Sequence, residues 1–236
     1  MASIKDDRGF NQGFRPSRAL KIRTERRADY ILGRINAKKG SKILEIGCGT
    51  GEISFLLAKK SQAEVLGTDI CKPFIEQAKK KYHLKNLRFE VRDFNNPKLL
   101  KARKFDFVVG NGILHHLYHN LDSAIPSIRR LLKPGGRIVF LEPNIWNPYC
   151  FLIFSFSSFR RLASLEPGEM AFTKGFITKK LREGGFSGIL VEYRDFLLPN
   201  TPKKLINPLI RIGGLAEKVP LVRLSSQSIF ISARKS

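Results

Sequence analysis

The chain of 236 residues contains little cysteine, few acidic residues and no long hydrophobic run. Its three cysteines, Cys48, Cys71 and Cys150, lie far apart and form no Cys-x-x-Cys pair. This excludes a disulfide framework and favours a reducing compartment. No apolar stretch approaches the length of a membrane-spanning helix, and the first residues lack the pattern of a signal peptide. These absences predict a cytoplasmic protein.

The shortage of acidic residues gives the chain a strong positive charge. Asp and Glu total 20 against 43 Lys and Arg, a formal net charge of +23. Such a surface attracts nucleic acid, anionic lipid or phosphorylated substrates without choosing among them. The hydrophobic content of 42% predicts a globular protein with a substantial core.

A glycine-rich turn follows the first predicted strand. Residues 42–46 form a short apolar run typical of a buried parallel strand, and Gly47, Gly49 and Gly51 follow before a helical pattern begins. Bare backbone at such a strand end lets a ligand approach closely, whereas the alternative is a tight structural connection. The Gly-x-Gly-x-Gly spacing differs from the Gly-x-Gly-x-x-Gly spacing of dinucleotide sites.

Strands and helices alternate along the rest of the chain. Further strands are predicted at 64–69, 87–91, 105–110, 137–141, 189–193 and 228–232. Helices are predicted at 17–37, after the glycine turn, and at 71–82, 122–132 and 172–185. This alternation predicts a doubly wound α/β fold. Ser17 is the expected N-cap of the first helix, whose arginines, among them Arg23 and Arg27, are expected to face solvent.

Asp69 ends the second predicted strand, eighteen residues after Gly51. At this spacing a carboxylate can accept hydrogen bonds from the hydroxyls of a bound ribose. The alternative is a helix cap, because an amphipathic helix follows directly. The glycine turn upstream favours the ribose.

Together these motifs resemble the class I S-adenosylmethionine (SAM)-dependent methyltransferases, from Lys42 to about Asn144. The resemblance rests on the acid Glu45 before the glycines, on Asp69, on Asn111 to Leu117 and on Arg130 to Gly136. The last two signatures are nearest the members that act on small molecules, lipids and glycans. Asn111 begins Asn-Gly-Ile-Leu rather than the Asn/Asp-Pro-Pro-Tyr motif of amino-directed enzymes, which disfavours methylation of a base nitrogen.

The resemblance implies a Rossmann-like sheet of seven strands, with the last strand antiparallel between the fifth and sixth. It implies SAM as the cofactor and, at the third strand end, Asp93 and Phe94 beside the adenine, with an exposed turn residue as the alternative for Asp93. The implied cofactor contacts are Glu45, Gly47, Cys48, Gly49, Gly51, Asp69, Ile70, Asp93, Phe94 and Asn111.

His115 and His116 follow the fourth strand, and either one is a candidate base for a hydroxyl acceptor, which must lose a proton. The alternative is a structural histidine that hydrogen-bonds to backbone. His115, His116 and His119 also have a spacing that could bind a metal, but no carboxylate or cysteine lies close in sequence to complete the set. We therefore predict no metal.

Two regions are distinguished: an N-terminal arm with a basic helix over 1–39, and a methyltransferase domain over 40–236. The domain carries an aromatic insert at about 145–165 and a basic segment at about 198–225. In the resembled fold an insert here stands over the acceptor. The insert and the basic segment also favour contact with an anionic membrane surface.

The expected function is methyl transfer from SAM to an oxygen of an apolar, lipid-linked or glycan-type acceptor, with carbon methylation of a quinone-like ring left open. The charge keeps an RNA methyltransferase as an alternative, although aromatic residues are not spread among basic ones as stacking platforms. A non-catalytic SAM-binding protein is the other alternative.

Overall fold

A computed structural model describes residues 16–93 and 104–236, so the prediction for Phe94 lies outside the described residues. The strands are β1 Lys42–Ile46, β2 Glu64–Asp69, β3 Leu87–Val91, β4 Phe105–Asn111, β5 Leu132–Pro143, β6 Phe186–Arg194 and β7 Ser228–Lys235. The helices are α1 Arg18–Ile35, α2 Glu52–Ser61, α3 Lys72–Lys81, α4 Leu121–Leu131, α5 Pro148–Ser155, α6 Ser157–Leu162, α7 Lys174–Glu183 and α8 Ile206–Ala216. None of the helices in these two ranges is long and apolar enough to cross a membrane.

All seven strands belong to one sheet, in the order β3-β2-β1-β4-β5-β7-β6. The pairs from β3 through β5 are parallel, whereas β7 runs antiparallel to both β5 and β6. The predicted doubly wound fold and the antiparallel last strand are therefore confirmed. The order reverses beside β1, so the ends of β1 and β4 border the crevice where open α/β sheets bind ligands.

Helices cover both faces of the sheet. One buried cluster joins the sheet to α4, α7 and the 3-10 helix Leu114–Asn120, and a second joins it to α1, α2 and α3. Parallel strands covered on both faces need apolar residues at successive positions, which explains the continuous apolar runs of the sequence.

The predicted boundaries hold to within a few residues, with one informative exception. Ser17 caps α1 as predicted, since its hydroxyl accepts the Leu20 backbone N–H at 2.9 Å. Strand β5, predicted from Arg137, begins at Leu132, which pairs with Phe105 ahead of an irregularity in the register. Pairing with β4 extends the strand through a Pro-Gly-Gly segment that local sequence indicates as a turn.

The expectation that Arg23 and Arg27 face solvent is wrong. Both side chains are buried, and both guanidinium groups reach one carboxylate oxygen of Asp195, at 2.8 Å from Arg23 Nε and 2.9 Å from Arg27 Nη2. Arg23 also donates to Gln227 at 2.7 Å, and Arg27 to the Ser228 hydroxyl at 2.6 Å. These partners lie far along the chain, so helical periodicity could not indicate them.

The charge of Asp195 should be essential to this network. Burial by itself would raise the pKa of Asp195, but Arg27 and Arg23 outweigh it and lower that pKa. Asp195→Asn keeps the side-chain shape, and Asn tolerates the left-handed backbone at this position, where φ is 76°. The variant leaves two buried cations without their counter-charge. We expect the free energy of unfolding to fall by about 3–5 kcal/mol in urea titrations.

Asp29→Asn is the matched control, because Asp29 forms a pair with Lys60 at the surface and its side chain is 58% exposed. That change should cost less than about 1 kcal/mol. Equal losses in the two variants would show that Asp195 contributes no more than a surface acid.

Candidate active site

The carboxyl ends of β1, β2, β4 and β5 meet at one edge of the sheet. They carry the glycine turn, Asp69, Asn111 and Glu142, respectively. Parallel strands place their carboxyl ends at the same edge, so residues widely separated in sequence converge there.

The three glycines of the turn differ in what surrounds them, although all three have positive φ. A Cβ at Gly47 would lie 2.8 Å from Ile113, and one at Gly51 would lie 2.7 Å from Phe89, so these two glycines are required by packing. A Cβ at Gly49 would meet nothing within 4 Å. Gly49 is therefore the point where the backbone faces open space and a ligand can approach it.

Glu45 and Cys48 are buried, so their side chains do not face the open space at Gly49. The Glu45 carboxylate is buried and accepts a hydrogen bond from the Ser54 hydroxyl at the start of α2. Burial raises the pKa of Glu45 to about 8. Burial also raises the pKa of the Cys48 thiol, and the backbone N–H of Cys48 donates to Thr68 at 2.9 Å. Both side chains are buried, and their direct contact with a cofactor stays a prediction.

Asp69 accepts two backbone hydrogen bonds, although Cys71 rather than Asp69 is the N-cap of α3, and its contact with a ribose stays a prediction. One carboxylate oxygen accepts the Gly49 N–H at 2.8 Å, and the other accepts the Cys71 N–H at 2.9 Å, just before α3. The carboxylate thus fixes the turn and lies beside the open space at Gly49, where a ribose could reach it. The next residue, Ile70, is exposed and offers an apolar surface for a ring. Asp93 is half-buried after β3.

Asn111 is the predicted contact whose polar oxygen already has a partner. Its Oδ1 accepts Arg27 Nη1 at 2.5 Å, which links the end of β4 to α1 and so to the Asp195 network. The predicted role of Asn111 at the cofactor would fall to its amide nitrogen or backbone.

A buried carboxylate at the end of β5 organises the histidine segment. Oε1 of Glu142 accepts the backbone N–H groups of Ile113 and Leu114 at 3.1 and 2.8 Å. Oε2 accepts the His115 backbone N–H at 3.3 Å and lies 2.9 Å from His115 Nδ1. Such a partner assigns the proton to Nδ1 and leaves Nε2 as the acceptor nitrogen.

His115 and His116 share a second buried carboxylate, that of Glu169. Glu169 Oε2 lies 3.8 Å from His115 Nε2 and has no hydrogen-bond partner among the described residues, while Oε1 lies 3.0 Å from His116 Nδ1. Burial alone would lower the pKa of His116, but Glu166 and Glu169 raise it to about 9. At neutral pH His116 is therefore an imidazolium paired with Glu169. Of the two predicted bases, His115 is the one that stays a candidate.

Sequence reasoning missed both carboxylates. Glu142 had a signal, since it is an acid at the end of a predicted strand, where ligand-binding residues gather. Glu169 had none, because it lies 54 residues beyond His115 in a connecting segment. Arg160 fixes this segment by donating to the backbone oxygens of Glu169 at 3.0 Å and Glu166 at 2.8 Å. No carboxylate lies close to the histidines along the chain, as the sequence analysis noted. In the folded structure, however, Glu142 and Glu169 lie beside them.

The same cluster is able to ligate a cation. One donor atom each from His115, His116 and Glu169 lies within 4.8 Å of the other two, whereas His119 is exposed and takes no part. His116 would first have to lose the proton that pairs it with Glu169. The prediction of no metal therefore remains a prediction, with this cluster as the place to test it.

Fold and site together define a class: a SAM-dependent methyltransferase of the Rossmann-like type. The chain belongs to the methyltransferase domain family, whose model matches residues 37–168, more than half of its length. A solved SAM-dependent methyltransferase from Archaeoglobus fulgidus has the same fold, with a TM-score of 0.65 and 20% identity over 91% of this chain and 94% of that one.

Two curated relatives indicate the range of acceptors in the family. A ubiquinone biosynthesis O-methyltransferase of Actinobacillus pleuropneumoniae is 34% identical over 140 residues, 57% of this chain and 58% of that protein. A probable tRNA methyltransferase 9B of Mus musculus is 34% identical over 105 residues, 43% of this chain and 22% of that protein. The chain spans about half the length of the first curated relatives it matches.

The residues present fit SAM as the cofactor. Open space at Gly49 admits the ligand to the backbone, and the Asp69 carboxylate beside it is a charged acceptor for hydroxyl groups. Ile70 supplies an apolar surface next to that carboxylate. The direct contacts of individual side chains stay predictions.

Gly49→Ala should remove SAM binding while leaving the fold intact. Its Cβ would enter open space in the protein, at a strain cost of about 1 kcal/mol for the left-handed backbone. It would occupy the space that the ligand needs. SAM at a hundredfold excess over its Kd should stabilise the wild type by about 2.7 kcal/mol and raise its Tm, but not that of the variant.

Gly51→Ala is the contrasting variant, because its Cβ would collide with Phe89 and lower the Tm of the unliganded protein itself. NAD is the ligand control. A Tm that rises with NAD and not with SAM would contradict the assignment of this site.

The pairing of His116 with Glu169 should make stability depend on alkaline pH. The folded-state pKa of about 9 lies above the usual value of 6.5. The stabilisation is therefore complete below pH 6.5 and is lost as the pH rises through 9. We expect the free energy of unfolding to fall by roughly 1–3 kcal/mol between pH 6 and pH 10.

This decrease should be reduced in His116→Gln and kept in His83→Gln, which alters an exposed histidine. If the wild type and both variants showed the same pH dependence, the ion pair of His116 with Glu169 would not be its cause.

Proposed function

We propose that this protein transfers the methyl group of SAM to a hydroxyl oxygen of an apolar, lipid-linked acceptor, glycan-carrying lipids included. The observation that supports this most is the His115 imidazole, whose Nδ1 is held by the buried Glu142 at 2.9 Å and whose Nε2 is left to accept a proton. A hydroxyl acceptor needs such a base, whereas an amine that is already neutral does not.

The cofactor and the protein have separate roles in the reaction. Bound SAM supplies a methyl group on a sulfonium, and the chain positions the acceptor oxygen and removes its proton. His115 Nε2 takes the proton while Nδ1–H remains hydrogen-bonded to Glu142. The resulting imidazolium lies between two buried carboxylates, those of Glu142 and Glu169, at 2.9 and 3.8 Å. Preorganised opposite charge of this kind stabilises the charge that develops on the base.

The surroundings of His115 favour an apolar acceptor. The ring of Phe154, from the buried face of α5, stands edge-on to the His115 ring with the centroids 6.0 Å apart. Apolar walls with a few convergent polar groups are typical of sites for small apolar molecules. The relative named as a ubiquinone biosynthesis O-methyltransferase also supports oxygen as the acceptor atom.

An RNA acceptor is the second candidate, favoured by the charge of +23 and by the relative named as a probable tRNA methyltransferase. It differs from the first in the fraction of a cell extract that would be methylated. Carbon methylation of a quinone-like ring would use the same base and differ in the position of the new methyl group.

Incubation of a cell extract with the protein and SAM labelled in its methyl group should place the label in the lipid fraction, identified by mass spectrometry as an O-methyl group. His115→Ala should lower the rate of labelling about a hundredfold or more, because proton removal is lost. The Tm increase with SAM should persist in this variant. His119→Ala, which alters an exposed histidine of the same segment, is the control.

If the label is found in RNA, the acceptor is RNA, the second candidate. If no fraction carries label, the protein binds SAM without turnover. Full activity of His115→Ala would leave positioning as the catalytic strategy. Activity lost on treatment with EDTA and restored by Zn²⁺ would instead assign His115, His116 and Glu169 to a metal.

A further inference from the structure

The aromatic insert presents a surface of large apolar side chains to solvent. It consists of α5, α6 and the residue Trp146 before them. Trp146 is 60% exposed and Leu162, at the end of α6, is 81% exposed. Between them, the exposed side chains include Tyr149, Phe151, Leu152, Phe156 and Phe159. The Phe156 ring contacts those of Phe151 and Phe159, with centroids 6.0 and 6.3 Å apart, so these three rings form a contiguous surface. Contiguous apolar patches of this kind mark binding surfaces rather than ordinary solvent-facing helices.

A second exposed apolar segment lies beside the insert. Leu221 is 80% exposed, and Val222 and Leu224 are exposed as well. Hydrogen bonds hold this segment against the start of the insert: Asn147 Nδ2 donates to the Ser225 backbone oxygen at 2.6 Å, and Asn144 Nδ2, just before the insert, donates to that of Leu224 at 2.7 Å. We call the exposed apolar side chains of residues 146–162 and 221–224 together the apolar face.

Helix α5 connects the apolar face to the candidate active site. Its other side is buried through Cys150 and Phe154, and Phe154 stands against the His115 ring. A molecule held at the apolar face is therefore separated from the proposed base by the thickness of one helix. Proximity of this kind suits an acceptor delivered from that side.

Cations flank the apolar face. Arg161 follows its aromatic residues on α6, and Lys218 and Arg223 flank Leu221, all three being exposed. The one acid among residues 196–236 is Glu217, which is already engaged by Arg194 at 2.9 Å and by the Asp195 backbone N–H at 2.9 Å. The positive charge of this region is thus available to an anionic partner.

We propose that the apolar face docks into the interface of an anionic lipid bilayer, with its aromatic and leucine side chains among the lipids and its cations on the headgroups. This deepens the proposed function and rests on it only for the identity of the acceptor. Aromatic anchors with flanking basic residues are the combination that binds such interfaces. A second copy of this chain fits less well, because a symmetric dimer would bring like cations together.

Trp146 is the only tryptophan and lies within the apolar face, so it reports docking directly. Vesicles of phosphatidylglycerol and phosphatidylcholine should shift its emission to the blue and protect it from acrylamide. Pure phosphatidylcholine vesicles should have much less effect. Raising the salt to 1 M should reverse most of the shift, because the Debye length falls to about 3 Å.

Two variants and one control variant separate the electrostatic component of docking from the apolar one. Arg161→Gln with Lys218→Gln and Arg223→Gln should weaken binding to anionic vesicles roughly a hundredfold, since each cation contributes about fivefold. Lys79→Gln with Lys80→Gln and Lys85→Gln removes the same charge from exposed residues around α3 and should leave binding nearly unchanged. Leu162→Ser with Leu221→Ser should weaken it roughly tenfold. These side chains contact little within the fold, so the Tm of each variant should stay close to that of the wild type.

Emission indifferent to every vesicle, or equal loss in the two triple variants, would overturn the proposal. Dimerisation that protects Trp146 without lipid, seen by sedimentation, would assign the apolar face to a second copy instead. Docking is measured here without acceptor or methyl transfer. Its failure would therefore leave the proposed reaction standing, and failure of the reaction would leave docking standing.

Discussion

The buried ion pairs of Asp195 connect the parts of this structure on which the site depends. One carboxylate at the end of β6 holds guanidinium groups from two successive turns of α1. Arg27 in turn reaches Asn111 at the end of β4. A helix that precedes the first strand is thereby fixed against the last strands and against the edge where the cofactor site lies. Two buried arginines on one carboxylate are costly to desolvate, so the net stabilisation is smaller than the attraction between the charges.

The candidate site depends in the same way on Glu142. That carboxylate gathers three backbone N–H groups and one imidazole N–H at the carboxyl end of the sheet. The resulting local geometry distinguishes two adjacent histidines: His115 receives a buried hydrogen-bond acceptor on one nitrogen, and His116 is drawn into an ion pair with Glu169. The two adjacent histidines thus differ in their nearest carboxylate, which is Glu142 for His115 and Glu169 for His116.

Helix α5 links this chemistry to the surface. Apolar residues lie on nearly all sides of this helix, which is unfavourable for a helix exposed to water. The protein covers only one of its sides. The covered side completes the wall beside His115, and the uncovered side forms part of the apolar face. This division of the helix supports the two proposals made above, a lipid-linked acceptor and docking at a bilayer.

Much of the architecture followed from the sequence alone. Apolar runs of strand length, glycines at Gly47 to Gly51 and the acid Asp69 predicted the fold and the ligand-binding edge, because period and turn chemistry are local properties. The family followed from the resemblance of these motifs to known methyltransferases. The burial of Arg23 and the approach of Glu169 to the histidines were decided only by tertiary structure. Both depend on contacts between residues more than fifty positions apart, and no local pattern encodes which distant carboxylate a buried charge will meet.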